Sequence, residues 1–475
     1  MRKLALAGCL SLAVVVAGCG GSDPRKPPIS RPSTRSAPVR TAKAPTRVRP
    51  VAAGTTVGLP QVTSTGARIT ALWQAPLTTA VVTGDLVVGL AAGRPAVLEA
   101  ISEPTGQQRW TVSLPAAEPY VAGLFAAGGV VVVEVGHALD DPAGSLVVTR
   151  DVVFDARSGR QLWSAQAPGG VTSLVAGKPV TYAAGLVVTG DSSGDLTARD
   201  ARTGALAWRS TSPRSCPQSR EPEYRYSEGL SGSGRLLVVS YQCESEGHEE
   251  VLIERLAPRS GAPLWRWRAP LGDLSVVGAA TQGELVLLSG EAGEDRDARS
   301  LPNARSWPTS LGPYLGKELV VALDARTGAP RWYERGGQLE EFTLTDGVTC
   351  ETVHVGFECR DDQSGLHTRP VLTTGRGEGS SPPYEGDGTA GISASLAGIV
   401  LSQAQSGAVT IGVFPLRGGG AIAHATVQLG NATHGEGNDK NFIVGAGPIA
   451  GGGTLMLLRR VDIANYPLVA LRVSP

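Results

Sequence analysis

LDARTGAPRW, residues 323–332, is one of five related copies of a single pattern in this chain. Two further copies are close to it, FDARSGRQLW at 154–163 and RDARTGALAW at 199–208, and two are looser, ISEPTGQQRW at 101–110 and LAPRSGAPLW at 256–265. The Gly–Trp pairs of the copies align without a gap: Gly106 and Trp110, Gly159 and Trp163, Gly204 and Trp208, Gly261 and Trp265, Gly328 and Trp332. Since five of the eight tryptophans share one position, the pattern is a repeat.

A single copy is typical of a β-hairpin. Before the turn, Leu319, Val321 and Leu323 alternate with other residues, as in a strand with one face toward a core. Asp-x-x-Thr-Gly then predicts a tight turn, because the Asp side chain accepts bonds from turn N–H groups and Gly tolerates a positive φ. The Trp on the next strand favours burial and needs an acceptor for its indole N–H.

The spacing of the copies indicates a repeat architecture. Successive tryptophans are about 45 to 67 residues apart, which is enough for four strands and is typical of propellers, solenoids or arrays. Short β-branched runs dominate the chain, and no long apolar stripe has the helical period. We therefore expect four-stranded units that bury their faces by stacking around an axis.

The pattern A-x-D-x-x-T-G-x-x-x-W, read here at 198–208 and 322–332, resembles the tryptophan-docking repeat of PQQ-like β-propellers. The resemblance spans roughly residues 60 to 475 and implies an all-β propeller in which each Trp packs against the turn of the next blade. That family includes quinoprotein alcohol dehydrogenases and non-enzymatic periplasmic lipoproteins, among them the scaffold subunit of the outer-membrane β-barrel assembly machine. One fold hosts many activities, so the repeat indicates a fold and not a function.

The number of blades follows from the clear and the degenerate copies. Trp73 lies in a strand without its own hairpin, and we expect this N-terminal strand to close the last blade by pairing with residues 466–473. Degenerate copies are predicted at 342–374, with a turn at 361–365 and Arg369 at the Trp position, and at 391–430, with a turn at 416–418. These add up to eight blades, or seven if the region around 375–391 is one long insertion.

The first 60 residues predict export and a tether. Residues 1–18 have a basic start and a short apolar run, as in a signal peptide. With the next residue, Cys19, the end of this segment resembles a bacterial lipobox. Cys9 follows a similar pattern but lies too early, and a plain secretory signal with an incidental Cys19 is the alternative. Residues 19–60 are rich in Pro and basic residues and predict a disordered tether, which is either only solvated or also bound to anionic lipid or wall polymer. Residues 61–475 form the predicted propeller domain.

Net charge limits the partners. The chain has 43 basic and 43 acidic residues, and the first 50 residues hold ten basic and one acidic. The remainder is therefore acidic by nine charges, which argues against a nucleic-acid partner.

Four cysteines lie outside the predicted leader and lipobox and allow three disulfide pairings. Pairs within one blade, Cys216 with Cys243 and Cys350 with Cys359, are favoured. The alternatives are free thiols or a metal site, but no C-x-x-C or His spacing supports a metal.

Signals for catalysis are weak, so no cofactor is predicted. The quinoprotein enzymes stack their quinone against a disulfide between adjacent cysteines, and this chain has no adjacent pair. The GxGxxG match at 386–391 follows no strand, and the acidic clusters at 191–195 and 294–297 lack EF-hand spacing and are interpreted as solvated turns.

Three insertions interrupt the repeats, at 212–228, 291–313 and 375–388. Tyr224, Arg225, Tyr226 and Trp307 in the first two are residue types enriched in interface hot spots. The sequence thus predicts a non-catalytic, lipid-anchored propeller in the cell envelope that binds protein partners. A propeller that binds a small ligand or glycan is the alternative, and a PQQ-dependent dehydrogenase is third.

Overall fold

A computed structural model describes residues 59–91, 97–114, 120–138, 146–172, 180–191, 194–210, 225–245, 248–269, 274–280, 285–291, 318–335, 342–345, 347–353, 356–362, 364–365, 367–369, 391–392, 396–403, 408–417, 422–428, 441–448, 454–460 and 468–474. Within those ranges every regular element is a β-strand. None of these residues belongs to a helix long and apolar enough to cross a membrane.

The described strands form eight antiparallel sheets. Sheet 1 contains β3 (Leu77–Thr83), β4 (Leu86–Ala91), β5 (Val97–Ser102) and β6 (Gln108–Ser113), and sheet 2 contains β7 (Tyr120–Ala127), β8 (Val130–Ala138), β9 (Leu146–Asp155) and β10 (Gln161–Thr172). Sheet 3 contains β11 (Val180–Ala183), β12 (Leu186–Gly190), β13 (Leu196–Asp200) and β14 (Leu206–Ser210). Sheet 4 contains β15 (Arg225–Ser233), β16 (Leu236–Ser245), β17 (His248–Leu256) and β18 (Pro263–Ala269).

The other four sheets include both ends of the described chain. Sheet 5 contains β19 (Leu274–Ala280), β20 (Leu285–Glu291), β21 (Glu318–Asp324) and β22 (Pro330–Arg335), and sheet 6 contains β23 (Phe342–Thr345), β24 (Val348–Val353), β25 (Gly356–Asp361) and β26 (His367–Arg369). Sheet 7 contains β27 (Gly391–Ile392), β28 (Leu396–Gln403), β29 (Ala408–Pro415) and β30 (Ala423–Gln428), together with β1 (Gln61–Gly66). Sheet 8 contains β31 (Asn441–Pro448), β32 (Thr454–Arg460) and β33 (Leu468–Ser474), together with β2 (Arg68–Ala75).

The sheets stack as the blades of a propeller. The first strands of neighbouring sheets, β3, β7, β11, β15, β19 and β23, contact one another in order from sheet 1 to sheet 6. In sheet 8, β31 contacts β3 of sheet 1 on one side and β27 of sheet 7 on the other. Apolar clusters fill the spaces between neighbours: Val88 and Ala100 of sheet 1 pack with Val133 and Phe154 of sheet 2. The second strands β4 and β12 are therefore buried along their whole length, because they have a sheet on either face. The all-β propeller expected from the repeat is confirmed.

The N-terminal strand closes the last sheet, as predicted. β2 pairs with β33 from Arg68 opposite Ser474 to Ala75 opposite Leu468. A second N-terminal strand, β1, was not predicted: it adds a fifth strand to sheet 7 by pairing with β30. β1 reads QVTSTG and is mostly exposed, so it lacks the apolar alternation that identifies a strand.

The degenerate copies also form sheets. β23 to β26 match the copy predicted at 342–374, and β27 to β30 match the one at 391–430. One boundary was wrong. The insertion predicted at 212–228 ends earlier, because Arg225 begins β15 and pairs with Cys243 of the long strand β16.

Candidate functional site

Six tryptophans join consecutive sheets through one repeated hydrogen bond. In each case the indole N–H donates to the backbone carbonyl of the residue three positions before the turn Gly of the next sheet. The pairs are Trp73 with Glu103 at 2.5 Å, Trp110 with Ala156 at 2.9 Å, Trp163 with Ala201 at 2.9 Å, Trp208 with Pro258 at 2.6 Å, Trp265 with Ala325 at 2.8 Å and Trp332 with Asp362 at 3.1 Å. This carbonyl is called the docking acceptor below.

Each of these indole rings lies against the turn glycine of the same neighbour. A Cβ placed on Gly204 would come within 2.6 Å of Trp163, and one on Gly261 within 2.7 Å of Trp208. Both glycines have a positive φ, at 71° and 68°. Two features therefore favour Gly at this position: the positive φ, which other residues rarely adopt, and the indole ring, which leaves no room for a Cβ.

The Asp of the motif holds the turn together. Asp200 Oδ1 accepts bonds from the backbone N–H of Arg202 at 3.1 Å and of Thr203 at 2.8 Å, and from the Thr203 hydroxyl at 2.9 Å. Asp155, Asp324 and Asp361 make the equivalent bonds. The bonds from Thr203 lower the pKa of Asp200, so the carboxylate stays ionised.

Arg331 acts on the turn of sheet 5. Its guanidinium donates to Asp324 Oδ2 at 2.7 Å, and this bond is the main cause of the lowered pKa of Asp324. The motif carboxylates are thus engaged by their own sheets or by a neighbour.

Sheets 6 and 7 meet without a tryptophan. Arg369 pairs with Cys359 in the register that Trp has in other sheets, as the degenerate copy predicted. The hydroxyl of the adjacent Thr368 donates to the carbonyl of Leu416 at 3.2 Å, and Leu416 directly follows the third strand of sheet 7. This carbonyl lies where most sheets have the docking acceptor, so a hydroxyl supplies the bond that an indole supplies elsewhere.

Glu103 is a buried carboxyl at the seam between sheets 8 and 1. Its backbone carbonyl is the acceptor for Trp73, while the side chain is 1% exposed. Its Oε1 has no hydrogen-bond partner among the described residues. Burial, and secondarily Asp85, raise the pKa of Glu103 from 4.5 to about 6.

Further charged groups are buried between sheets. Glu254 is 4% exposed and forms an ion pair with Arg266 of the neighbouring strand. Burial raises the pKa of Glu254, and Arg266 opposes that shift. Glu134 and Asp151, both buried, are direct partners in the register of β8 and β9. Sequence reasoning missed these groups, because a single charge within a β-rich run gives no signal of burial.

The other predicted site residues are placed as follows. Cys350 and Cys359 are opposite each other on β24 and β25 and form a disulfide. Cys243 lies on β16, while its proposed partner Cys216 is outside the described residues. Arg225 and Tyr226 begin β15. Cys19, Tyr224 and Trp307, as well as the insertions at 292–313 and 375–388, lie outside the described residues.

Acidic and histidine side chains show no metal-binding geometry in the described ranges. No group of three or more His, Cys, Asp or Glu side chains there is arranged to hold a metal ion. Asp191 Oδ1 accepts the backbone N–H of Asp195 at 2.9 Å, so this acidic pair belongs to a turn. His424 packs edge-on against Phe414.

Comparison with known proteins agrees with the repeat. Residues 60–243 match a family model described as outer membrane protein assembly factor BamB. The chain thus carries PQQ-like propeller repeats that resemble those of this assembly factor. No curated protein matches the sequence.

Three solved structures are similar to this chain over most of its length. BamB from Moraxella catarrhalis is 12% identical, with a TM-score of 0.47, and the alignment covers 86% of this chain and 98% of that one. A europium-containing methanol dehydrogenase is 10% identical, with a TM-score of 0.48 and coverages of 86% and 93%. The C-terminal WD40 domain of Sif2 is 9% identical, with a TM-score of 0.49 and coverages of 86% and 100%.

Proposed function

We propose that this protein is a non-catalytic lipoprotein of the cell envelope, whose propeller acts as a scaffold for protein partners. The observation that carries the proposal is the match of residues 60–243 to the assembly-factor model. The repeated Trp–carbonyl bonds support it, because sheets joined in this way form a rigid platform for loops that contact partners. The fold alone does not select the partner.

The proposed location follows from the first 60 residues. We propose that residues 1–18 are a signal peptide, that Cys19 is lipidated, and that residues 19–60 form a basic tether that carries the propeller at 61–475. In a host that lipidates such sequences, Cys19→Ala should release the protein from the membrane fraction. A variant that stays in the membrane fraction after the leader has been cleaved would refute lipidation at Cys19.

Crosslinking in intact cells followed by mass spectrometry tests the scaffold. We expect a discrete set of envelope proteins to be trapped by the intact chain and lost when the insertion at 291–313 is shortened. Shortening the insertion at 375–388 instead serves as the matched control. If neither change alters the trapped set and no discrete partner is found, the scaffold proposal fails.

The same purified chain tests the two alternatives. Thermal stabilisation by a soluble compound or glycan would favour the ligand-binding propeller, since a ligand that binds only the native state raises its apparent stability. Uptake of quinone and Ca²⁺ with dye-linked alcohol oxidation would instead identify a dehydrogenase.

A further inference from the structure

One motif position carries an arginine in four consecutive sheets. Directly after the docking acceptor, sheets 2 to 5 have Arg157, Arg202, Arg259 and Arg326, and all four side chains are exposed. The turn requires no particular side chain here, since Asp and Gly two positions to either side determine its conformation. The repeated arginine therefore needs another explanation.

The preceding sheet decides whether this arginine has a partner. Arg202 reaches back to sheet 2 and pairs with Asp155 at 3.0 Å, and Arg417 of sheet 7 reaches back to Asp361 at 3.8 Å. For Arg157 and Arg326 the equivalent position in the preceding sheet is Ser102 or Ala257, so the acid is missing.

Arg259 also lacks an ion-pair partner among the described residues. Asp200 stands at the equivalent position of sheet 3, but no ion pair among the described contacts joins it to Arg259. Asp200 Oδ1 accepts the hydrogen bonds of its own turn. Three guanidinium groups, those of Arg157, Arg259 and Arg326, therefore extend into solvent without a side-chain partner in the described part of the chain.

Two more exposed arginines lie in turns of the same sheets. Arg160 follows Gly159, and Arg235 follows Gly234 in the turn between β15 and β16. We call Arg157, Arg160, Arg202, Arg235, Arg259 and Arg326 the arginine arc. The described turn residues on this side of sheets 2 to 5 hold these six arginines against three aspartates, Asp155, Asp200 and Asp324. Among these described residues the arginines outnumber the aspartates by three.

The arc lies on one face of the ring. The turn between the first two strands lies beside the turn between the last two, since Ala156 N–H donates to Gly129 O and Ala201 N–H to Gly185 O, both at 3.0 Å. Neighbouring sheets also meet through these turns, because Ala184 N–H of sheet 3 donates to Gly234 O of sheet 4 at 2.6 Å. One elongated partner can thus meet several members of the arc together.

We propose that the arginine arc is a docking surface for an acidic, carboxylate-rich segment of a partner protein. The guanidinium fork binds carboxylates in a bidentate manner, and the arc contains arginine and no lysine. With one or two arginines in each of four neighbouring sheets, the arc suits a chain of carboxylates better than a single anion. This inference rests on the scaffold function proposed above and names the chemistry of the partner.

β1 runs from the face opposite the arc toward the face that carries it. Gly66 pairs with Ala423, next to the turn of sheet 7 that carries Arg417, whereas Gln61 pairs with Gln428 at the far end of the strand, about 17 Å away. Gln61, the first residue of β1, therefore lies at the face opposite the arc.

A labelled polyglutamate peptide tests the proposal. The chain from Gly20 onward keeps the basic N-terminal segment, and binding is measured by fluorescence anisotropy at low and raised salt. The variant Arg157→Gln/Arg259→Gln/Arg326→Gln removes three arc charges that have no side-chain partner among the described residues. Arg31→Gln/Arg35→Gln/Arg40→Gln removes the same number of charges from the N-terminal segment and serves as the matched control. Far-UV circular dichroism and thermal melts check that both variants fold as the parent does.

The proposal expects the arc variant to bind polyglutamate about tenfold more weakly, and the control variant within about twofold of the parent. Equal loss in both variants, no loss in the arc variant, or no binding at low salt would overturn it. So would arc-dependent binding to vesicles of phosphatidylcholine and phosphatidylglycerol without binding to the peptide, because that result assigns the arc to a membrane. If the arc variant still traps the full set of partners in cells, the scaffold function stands and the arc is not its docking surface.

Discussion

At the scale of single residues, a docking contact combines two requirements that belong to different sheets. The tryptophan supplies an indole donor and a flat ring, and the turn of the next sheet supplies a carbonyl and a residue without a Cβ. Gly204 illustrates the second requirement, because it has a φ of 71° and its missing Cβ would lie 2.6 Å from Trp163. The repeat therefore keeps Gly and Trp together in sequence although each Gly contacts the Trp of the preceding copy.

Gly204→Ala should destabilise the protein by about 2–4 kcal/mol, because backbone strain and overlap with the indole ring add. Gly84→Ala is the matched control: its φ is 62° but it has open space around its Cβ position, so about 1–2 kcal/mol is expected. Urea unfolding of both variants measures the difference. Equal losses would show that strain alone governs the position.

Glu103 should make stability depend on pH between about 4.5 and 7. In the folded protein its pKa is raised from the ordinary value of 4.5 to about 6. Its contribution to the free energy of unfolding is therefore fully present below pH 4.5 and is lost as pH rises through 6. Glu103→Gln removes this titration, and we expect the variant to gain stability relative to the parent as pH increases. Thermal melts across this range measure it; parallel curves for parent and variant would contradict the assignment.

At the scale of elements, the stability of the ring depends on interfaces between sheets. Between sheets 2 and 3 the indole of Trp163 bonds to Ala201, and Val130, Val132 and Val187 pack around it. Between sheets 6 and 7, Thr368 supplies the bond to Leu416 with far less apolar surface. Equivalent positions thus use either a large ring with a donor or a donor alone.

Trp163→Ala should cost about 3–5 kcal/mol, because it leaves a cavity between two sheets. Trp163→Phe keeps most of the ring and leaves the Ala201 carbonyl without its donor, so about 1–2 kcal/mol is expected. Chemical unfolding separates the two contributions. If the phenylalanine variant is as stable as the parent, the indole bond contributes nothing and docking is purely apolar.

Thr368→Val should destabilise the protein by about 0.5–1.5 kcal/mol, since it keeps the volume but removes the hydroxyl bonded to Leu416. Thr368→Ser keeps the hydroxyl and should cost less. Both are measured by the unfolding midpoint in urea. The reverse order, with serine worse than valine, would mean that the methyl group matters and the hydrogen bond does not.

At the scale of the whole molecule, closure of the ring depends on the N-terminal residues. β2 completes sheet 8 by pairing with β33 and brings Trp73 to the turn of sheet 1, while β1 covers the edge of sheet 7. These two strands connect residues near the start of the domain with residues near its end. Sheet 8 is therefore made from both ends of the domain.

A chain that begins at Leu77 should melt at a lower temperature than one that begins at Leu59, and with less cooperativity. The shorter chain lacks β1 and β2 and leaves the edge of β33 free for association. Calorimetry and size-exclusion chromatography compare the two with the chain from Gly20. Identical melting of all three would contradict closure by the N-terminal strands.

Much of the fold could be predicted from local patterns. The five Ser/Thr-Gly-x-x-x-Trp copies identified the hairpins and their order, and the turn from Asp361 to Gly365 identified a sheet that has lost its Trp. Trp73 without a preceding turn identified the closing strand. β1 was not predicted, because a short polar strand at the edge of a sheet has no hydrophobic periodicity. The beginning of β15 was assigned to a loop, because its charged and aromatic residues resemble a binding insertion.

The amino-acid sequence by itself determined the repeat, the turn chemistry and the partner position of each Gly and Trp, because these depend on residues that are close along the chain. Tertiary structure decided which carbonyl each indole reaches, how Thr368 replaces a ring, and that Glu103 is buried at the seam. It also decided which arginines of the arc have a carboxylate to pair with. All of these depend on the sheet that lies beside a residue, and that neighbour is set by stacking around the ring, not by sequence distance.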